Sequence, residues 1–111
     1  MWIKYLKSIL NAVYYFKNED YIVSFDYSQH CPFLHIVFEN RVHKGKPELI
    51  LSLALYDLNE EALKVVSESC VNIIKGISKH KIDCEDVLNY YKNVSDCYVM
   101  NEHLLNNPYK E

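Results

Sequence analysis

The segment YIVSFDYSQHCPFLHIVFENRVHKGKPELILSLALY, residues 21–56, decides the fold. Tyr21, Val23, Phe25 and Tyr27 alternate with Ile22, Ser24 and Asp26, the period of two that marks a strand. Residues 28–32 (SQHCP) supply turn chemistry. The stretches 33–40 (FLHIVFEN) and 48–56 (ELILSLALY) then read as two further strands, separated by polar residues 41–47 in which Gly45 tolerates a positive φ. Connections this short imply an antiparallel meander. Matching apolar faces sets the register. If Val23, Phe25 and Tyr27 share a face with Leu34, Ile36 and Phe38 and with Leu49, Leu51, Leu53 and Leu55, opposed residue numbers add to odd totals. The second face then holds Ser24, Asp26, His35, Glu39, Ser52 and Tyr56, mixed with Ile22, Val37, Ile50 and Ala54. One pair of hairpin registers places Asp26 directly across from His35, and His35 directly across from Ser52.

The flanking sequence changes to a helical period on both sides. Trp2, Ile3, Leu6, Ile9, Leu10, Val13 and Tyr14 form one stripe within a helix expected over 2–17, with Lys4, Lys7, Ser8 and Asn11 opposite. After the third strand, Asp57 with Glu60 reads as a capping box, and Ala62, Leu63, Val66, Cys70, Ile73, Ile74 and Ile77 mark a long helix over 57–79 that frays near 76–81. Asp83 with Asp86 repeats the cap signature and opens a third helix through Val87, Leu88, Tyr91 and Val94. Residues 96–107 admit two readings: a short edge strand at 97–100, or a last helical stripe of Cys97, Met100, Leu104 and Leu105. The expected fold is α+β, a single domain over 1–111 in which a three-stranded antiparallel meander is flanked by an N-terminal helix and C-terminal helices (αβββαα), with the helices on one face.

Composition narrows the function classes. Of 111 residues, 50% are hydrophobic and 24% charged, with two Gly and three Pro, which excludes a disordered chain. The apolar run 49–56 falls far short of the roughly 20 residues that cross a bilayer, so no membrane association is expected. The N-terminus is amphipathic and lacks the order of a secretory signal, so the chain is expected to begin near Met1 and to act in the cytoplasm. Residues 1–56 carry five acids against six bases, and residues 57–111 carry ten against six. A single arginine, Arg41, among twelve basic residues argues against nucleic acid as a partner. An acidic C-terminal half suits a basic protein partner better. Cys31, Cys70, Cys84 and Cys97 have neither CxxC spacing nor the density of a secreted framework, so free thiols and no disulfide are expected.

Few constellations suggest chemistry. Asp26, His35 and Ser52 align an acid, an imidazole and a hydroxyl, which a small hydrolase or nuclease needs. Yet Ser52 sits in mid-strand with no glycine nearby, whereas a nucleophile belongs on an exposed turn beside oxyanion donors. Cross-strand polar pairs also stabilise sheets with no catalytic role. His30-Cys31 before Pro32 offers a turn thiol beside an imidazole, although adjacent loop residues rarely face each other. No Cys or His pair has the short spacing of a zinc knuckle. The loop 42–47 lacks the strand-to-helix setting of a phosphate loop, and Asn93-Val94-Ser95 is only formally a glycosylation sequon. No catalytic residue, metal or cofactor is therefore assigned. Ten tyrosines suit contact with another protein, because Tyr joins apolar area to a polar tip, and an AT-biased coding sequence accounts for the same count equally well.

The segment DLNEEALKVVSESCVNII at 57–74, preceded by the meander in a short acidic chain, resembles the immunity proteins encoded beside polymorphic bacterial toxins, including those of contact-dependent growth inhibition. That resemblance implies stoichiometric neutralisation of a cognate toxin domain, often a nuclease with a basic cleft. Phage inhibitors of host defence are similar in size and composition. The candidate partner-binding residues are Asp57, Glu60, Glu61, Lys64 and Glu68 on the long helix and Asp83, Glu85 and Asp86 at the start of the next. The sheet face around Asp26, His35 and Tyr56 is a second candidate surface.

Overall fold

A computed structural model describes residues 2–27, 33–42, 48–92, 98–106 and 108–109. In chain order it contains α1 (Trp2–Tyr14), β1 (Tyr21–Tyr27), β2 (Phe33–Asn40), β3 (Leu49–Ala54), a 3₁₀ turn (Leu55–Asp57), α2 (Glu60–Ser78), α3 (Cys84–Tyr90), β4 (Tyr98–Met100) and α4 (Asn101–Leu104). The fold is α+β. The meander forms with the expected parity, for Phe25 opposes Ile36 and Ile36 opposes Leu51. The sheet is larger than the meander: β4 adds to the free side of β3 in parallel, giving the order β1-β2-β3-β4. Both readings of the C-terminal stretch are realised, one after the other, as β4 runs directly into α4.

The inner face of the sheet makes the core. Leu34, Ile36, Leu49, Leu51 and Leu53 are fully buried, with Phe38 beside them, against Leu63, Val66, Cys70, Ile73, Ile74 and Ile77 of α2. Helix α1 buries Ile9 and Ala12, and its neighbouring segment is fixed by ring contacts of Trp2 with Tyr27 and of Phe16 with Phe38. These contacts run α1 antiparallel to β1. Phe25 departs from the expected pattern, since it faces inward by register yet is 52% exposed. The helical layer leaves this part of the outermost strand uncovered.

Three helix boundaries differ from the sequence reading. Asp57 does not cap α2: it closes the 3₁₀ turn, and Asn59 is the cap, its Oδ1 accepting the Ala62 amide at 2.8 Å. Asn fills this role as well as Asp does, and β3 ends at Ala54 rather than Tyr56, so the chain turns before the helix begins. Helix α1 ends at Tyr14, with its apolar stripe but short of the expected 17, and α3 ends at Tyr90, before its stripe does; Val94 lies outside the described residues. The Asp83–Asp86 capping box forms as read, each carboxylate accepting the other's backbone N–H at 2.8 Å.

The end of α2 is built by a Schellman turn. His80 N–H donates to Ile77 O and Lys81 N–H to Gly76 O, with His80 at φ 59°. Ile82 folds back over Gly76 so closely that a Cβ there would stand 3.0 Å from its side chain. The link between α1 and β1 is fastened to the same turn. Asn18, 4% exposed, donates its Nδ2 to Ile77 O at 2.7 Å and accepts the Asp20 amide on Oδ1, while Lys17 N–H donates to Ser78 Oγ. A final tie runs from the Cys84 N–H to the Tyr21 hydroxyl at 3.3 Å, joining the starts of α3 and β1.

Three expected outcomes follow. Asn18→Ala removes the buried carboxamide that bonds both the Ile77 carbonyl and the Asp20 N–H, and costs about 2 kcal/mol in a denaturant titration. His80→Gly relieves the left-handed strain and raises stability by about 1 kcal/mol, read as a higher melting temperature. The third concerns alkaline pH. Burial pushes the Tyr21 phenol from 10.0 to about 12 and the Cys84 thiol from 9.0 to about 12. Folded-state values above the unfolded ones favour the neutral forms in the native protein, so this stability is complete below the unfolded values and is lost as pH rises through them toward 12. The urea midpoint therefore falls between pH 9 and 12, and Tyr21→Phe reduces that fall.

Candidate functional site

The outer face of the sheet carries the row that the register reading singled out. Asp26 opposes His35 and His35 opposes Ser52, the one pair of hairpin registers, among those the inner-face parity allows, that aligns the three. The Ser52 Oγ lies 3.0 Å from His35 Nδ1. In the neutral ring protonated on Nε2, the hydroxyl donates to Nδ1 and Nε2–H is the outward donor. Asp26 is exposed, and it aligns with His35 through register; among the described residues no hydrogen bond joins the two.

Ser52 is 1% exposed. It lies between β2 and β4 in the middle of the sheet, opposite His35 on one side and Met100 on the other. Asn101, the first residue of α4, braces the same stretch of β3. In the carboxamide orientation that satisfies both ends, its Nδ2 donates to Ser52 O at 3.2 Å and its Oδ1 accepts from Ala54 N at 3.0 Å. The side-chain amide thus continues the parallel ladder for one step after β4 ends. A hydroxyl enclosed in this way is a cross-strand tether, because attack on an external substrate requires an approach path to Oγ.

Aromatic rings complete the site. Phe33 shares the outer face with His35 by strand alternation and stacks on its ring, with centroids 5.8 Å apart and planes 11° apart. Tyr56, in the 3₁₀ turn, meets Phe33 edge-on at 6.2 Å. Phe33 and His35 are half-buried, Tyr56 is exposed, and Val37, Ile50 and Ala54 extend the face as half-buried apolar neighbours. Phe33 was not singled out from the sequence, although parity with His35 places it there.

The acidic candidates divide into two places. Glu60, Glu61, Lys64 and Glu68 line an open groove whose opposite wall is α1, with Lys4, Tyr5 and Ser8. Lys4 reaches Glu60 at 3.9 Å and lies over the Tyr5 ring at 5.0 Å. The groove is therefore mixed in sign, which the isolated α2 pattern did not reveal. Asp83 and Asp86 use one carboxylate oxygen each in the α3 capping box, with Glu85 exposed beside them, and Asp57 is exposed in its turn.

Other sequence candidates do not add to the site. Cys70 and Cys84 carry free thiols and are buried, and burial raises both above the ordinary thiol range. His30, Cys31, Cys97, residues 43–47 and the Asn93-Val94-Ser95 sequon lie outside the described residues. Among the described residues, no group of three or more His, Cys, Asp or Glu converges to hold a metal, and no helix is long and apolar enough to cross a membrane. No protein-family model, curated protein or solved structure matches the chain.

The tether is measurable. A double-mutant cycle of His35→Ala and Ser52→Ala, followed by urea unfolding, is expected to give a coupling of about 0.5–1.5 kcal/mol. Additive single effects would mean that the 3.0 Å contact contributes nothing.

Proposed function

We propose that this protein is a non-enzymatic inhibitor that binds one protein partner stoichiometrically, in the manner of the immunity proteins it resembles. The ring cluster on the outer sheet face anchors the contact, and the acids of α2 and α3 guide the approach. The observation that supports the reading is the ring cluster of Phe33, His35 and Tyr56, whose His35 is joined to Ser52. Aromatic groups already fixed in position lose little side-chain freedom on binding, and such groups dominate interface energetics. Exposed Asp26, opposite His35 in the register, adds a polar rim to the cluster. The partner is a basic toxin domain. Asp57, Glu60, Glu61, Glu68, Asp83, Glu85 and Asp86 attract it over long range, while Lys4 and Lys64 limit the field of the groove. Inhibition takes place in the cytoplasm and needs no cofactor, metal, nucleic acid or membrane.

A small hydrolase built on Asp26, His35 and Ser52 is less well supported, because Ser52 is enclosed at 1% exposure. Direct comparison of the two readings uses the purified protein and the C-terminal domain of a large secreted protein encoded beside it. A one-to-one complex that blocks the toxin's activity is the expected result. His35→Ala with Tyr56→Ala should weaken it about 100-fold, mainly through faster dissociation. Glu61→Lys with Glu68→Lys should leave the fold intact, slow association and flatten its salt dependence. Turnover of ester, peptide or nucleic-acid substrates that His35→Ala abolishes would instead establish the enzyme.

A further inference from the structure

The outer edge of β1 has a bonding pattern that follows from one contact at its start. The Arg41 amide donates to the Asp20 carbonyl at 2.8 Å, extending the register in which Tyr21 opposes Asn40 and Ile22 opposes Glu39. Bonded pairs alternate along an antiparallel ladder. Ile22, Ser24 and Asp26 therefore direct their backbone groups to β2, and Val23, Phe25 and Tyr27 direct theirs outward; at Tyr21 only the carbonyl does so, because its N–H donates to the Asn18 carbonyl at 3.4 Å. Among the described residues no strand pairs with that side. The edge strand contains no Lys, Pro or Gly, the usual devices that keep an edge from pairing, and its single charge is Asp26 near its end. Phe25 on the inner face and Ile22 on the outer face are 52% and 50% exposed, although Tyr21, Val23 and Tyr27 pack partly against the core.

We infer that β1 pairs with β1 of a second copy, antiparallel about a two-fold axis at Ser24, to make one continuous sheet across a homodimer. The strand is its own complement in this register. All seven residues are opposed: Val23 with Phe25 is the doubly bonded combination, and the Tyr21 carbonyl accepts from the Tyr27 N–H of the other copy. Val23 and Phe25 of opposite copies then lie on the same inner face, which covers the exposed Phe25 ring. On the outer face Ser24 meets Ser24 and Ile22 meets Asp26, so no like charges are opposed. A foreign strand offers no such symmetry argument.

Sedimentation velocity of the wild-type chain over a wide concentration range should show a species of twice the 13.2 kDa chain mass. Phe25→Lys places charge in the pairing row at an exposed site, so it should keep the wild-type circular dichroism and raise the dimer dissociation constant about 100-fold. Ser24→Cys tests the register separately. Residues opposed at a non-bonded position have Cα atoms about 4.5 Å apart, within disulfide range, so this variant should crosslink between copies under mild oxidant. Asp26→Cys and the unmodified chain are the controls that should not. A wild-type monomer at every concentration, a dimer that survives Phe25→Lys, or a dimer that Ser24→Cys fails to link more than its controls overturns the inference. So does a monomer whose Phe25→Lys variant loses a different protein partner, which would assign the edge to a foreign strand.

Discussion

The structure depends on the packing of one sheet face against α2. Leu34, Ile36 and Phe38 interlock with Leu49, Leu51 and Leu53, and all six are at most 1% exposed. A slip of one residue in β2 would send His35 and Val37 inward and turn three core side chains to solvent. Burying each large apolar side chain contributes roughly 1.5–3 kcal/mol, so such a slip is prohibited by a wide margin. The outer face has no comparable force acting on it. Its row of Asp26, His35 and Ser52 is placed by the core, and the 3.0 Å contact between His35 and Ser52 is a consequence of the apolar register as much as a cause of order.

This explains why the sheet was legible. Alternation in 21–27, 33–40 and 48–56 identifies both the strands and their faces, and parity restricts the registers to a set of which one gives the observed partners of His35. The inner-facing Phe25 was placed on the correct side but not at the correct depth, because alternation reports direction and not how far the covering layer extends. The α2 cap was misplaced for a related reason. Asp57 and Asn59 are both good caps, and the choice between them is made by where β3 stops and the 3₁₀ turn closes.

Contacts set by tertiary proximity were not legible. Asn18 reads as an ordinary loop residue, yet it meets the last turn of α2, far away in sequence. Lys4 and Tyr5 read as part of α1 alone, and only the packing of α1 beside α2 brings them to the wall facing Glu60 and Lys64. The acidic character of α2 in the sequence is therefore moderated in space by the basic face of a different helix. Chain-half charge counts describe composition; they do not describe the potential at a surface.

The parallel pairing of β4 with β3 has a consequence for biosynthesis. Residues 21–54 complete three strands early, and α2 follows to cover their inner face, but the far side of β3 waits for Tyr98–Met100 and for the Asn101 carboxamide that extends the ladder. During translation the apolar segment LILSLA thus presents an unsatisfied edge until residues 98–101 have left the ribosome. Long-range pairing of this kind closes slowly, because chain entropy is lost before the contact repays it. The nascent protein is most exposed to aggregation in that interval, and its last strand acts as the closure that ends it.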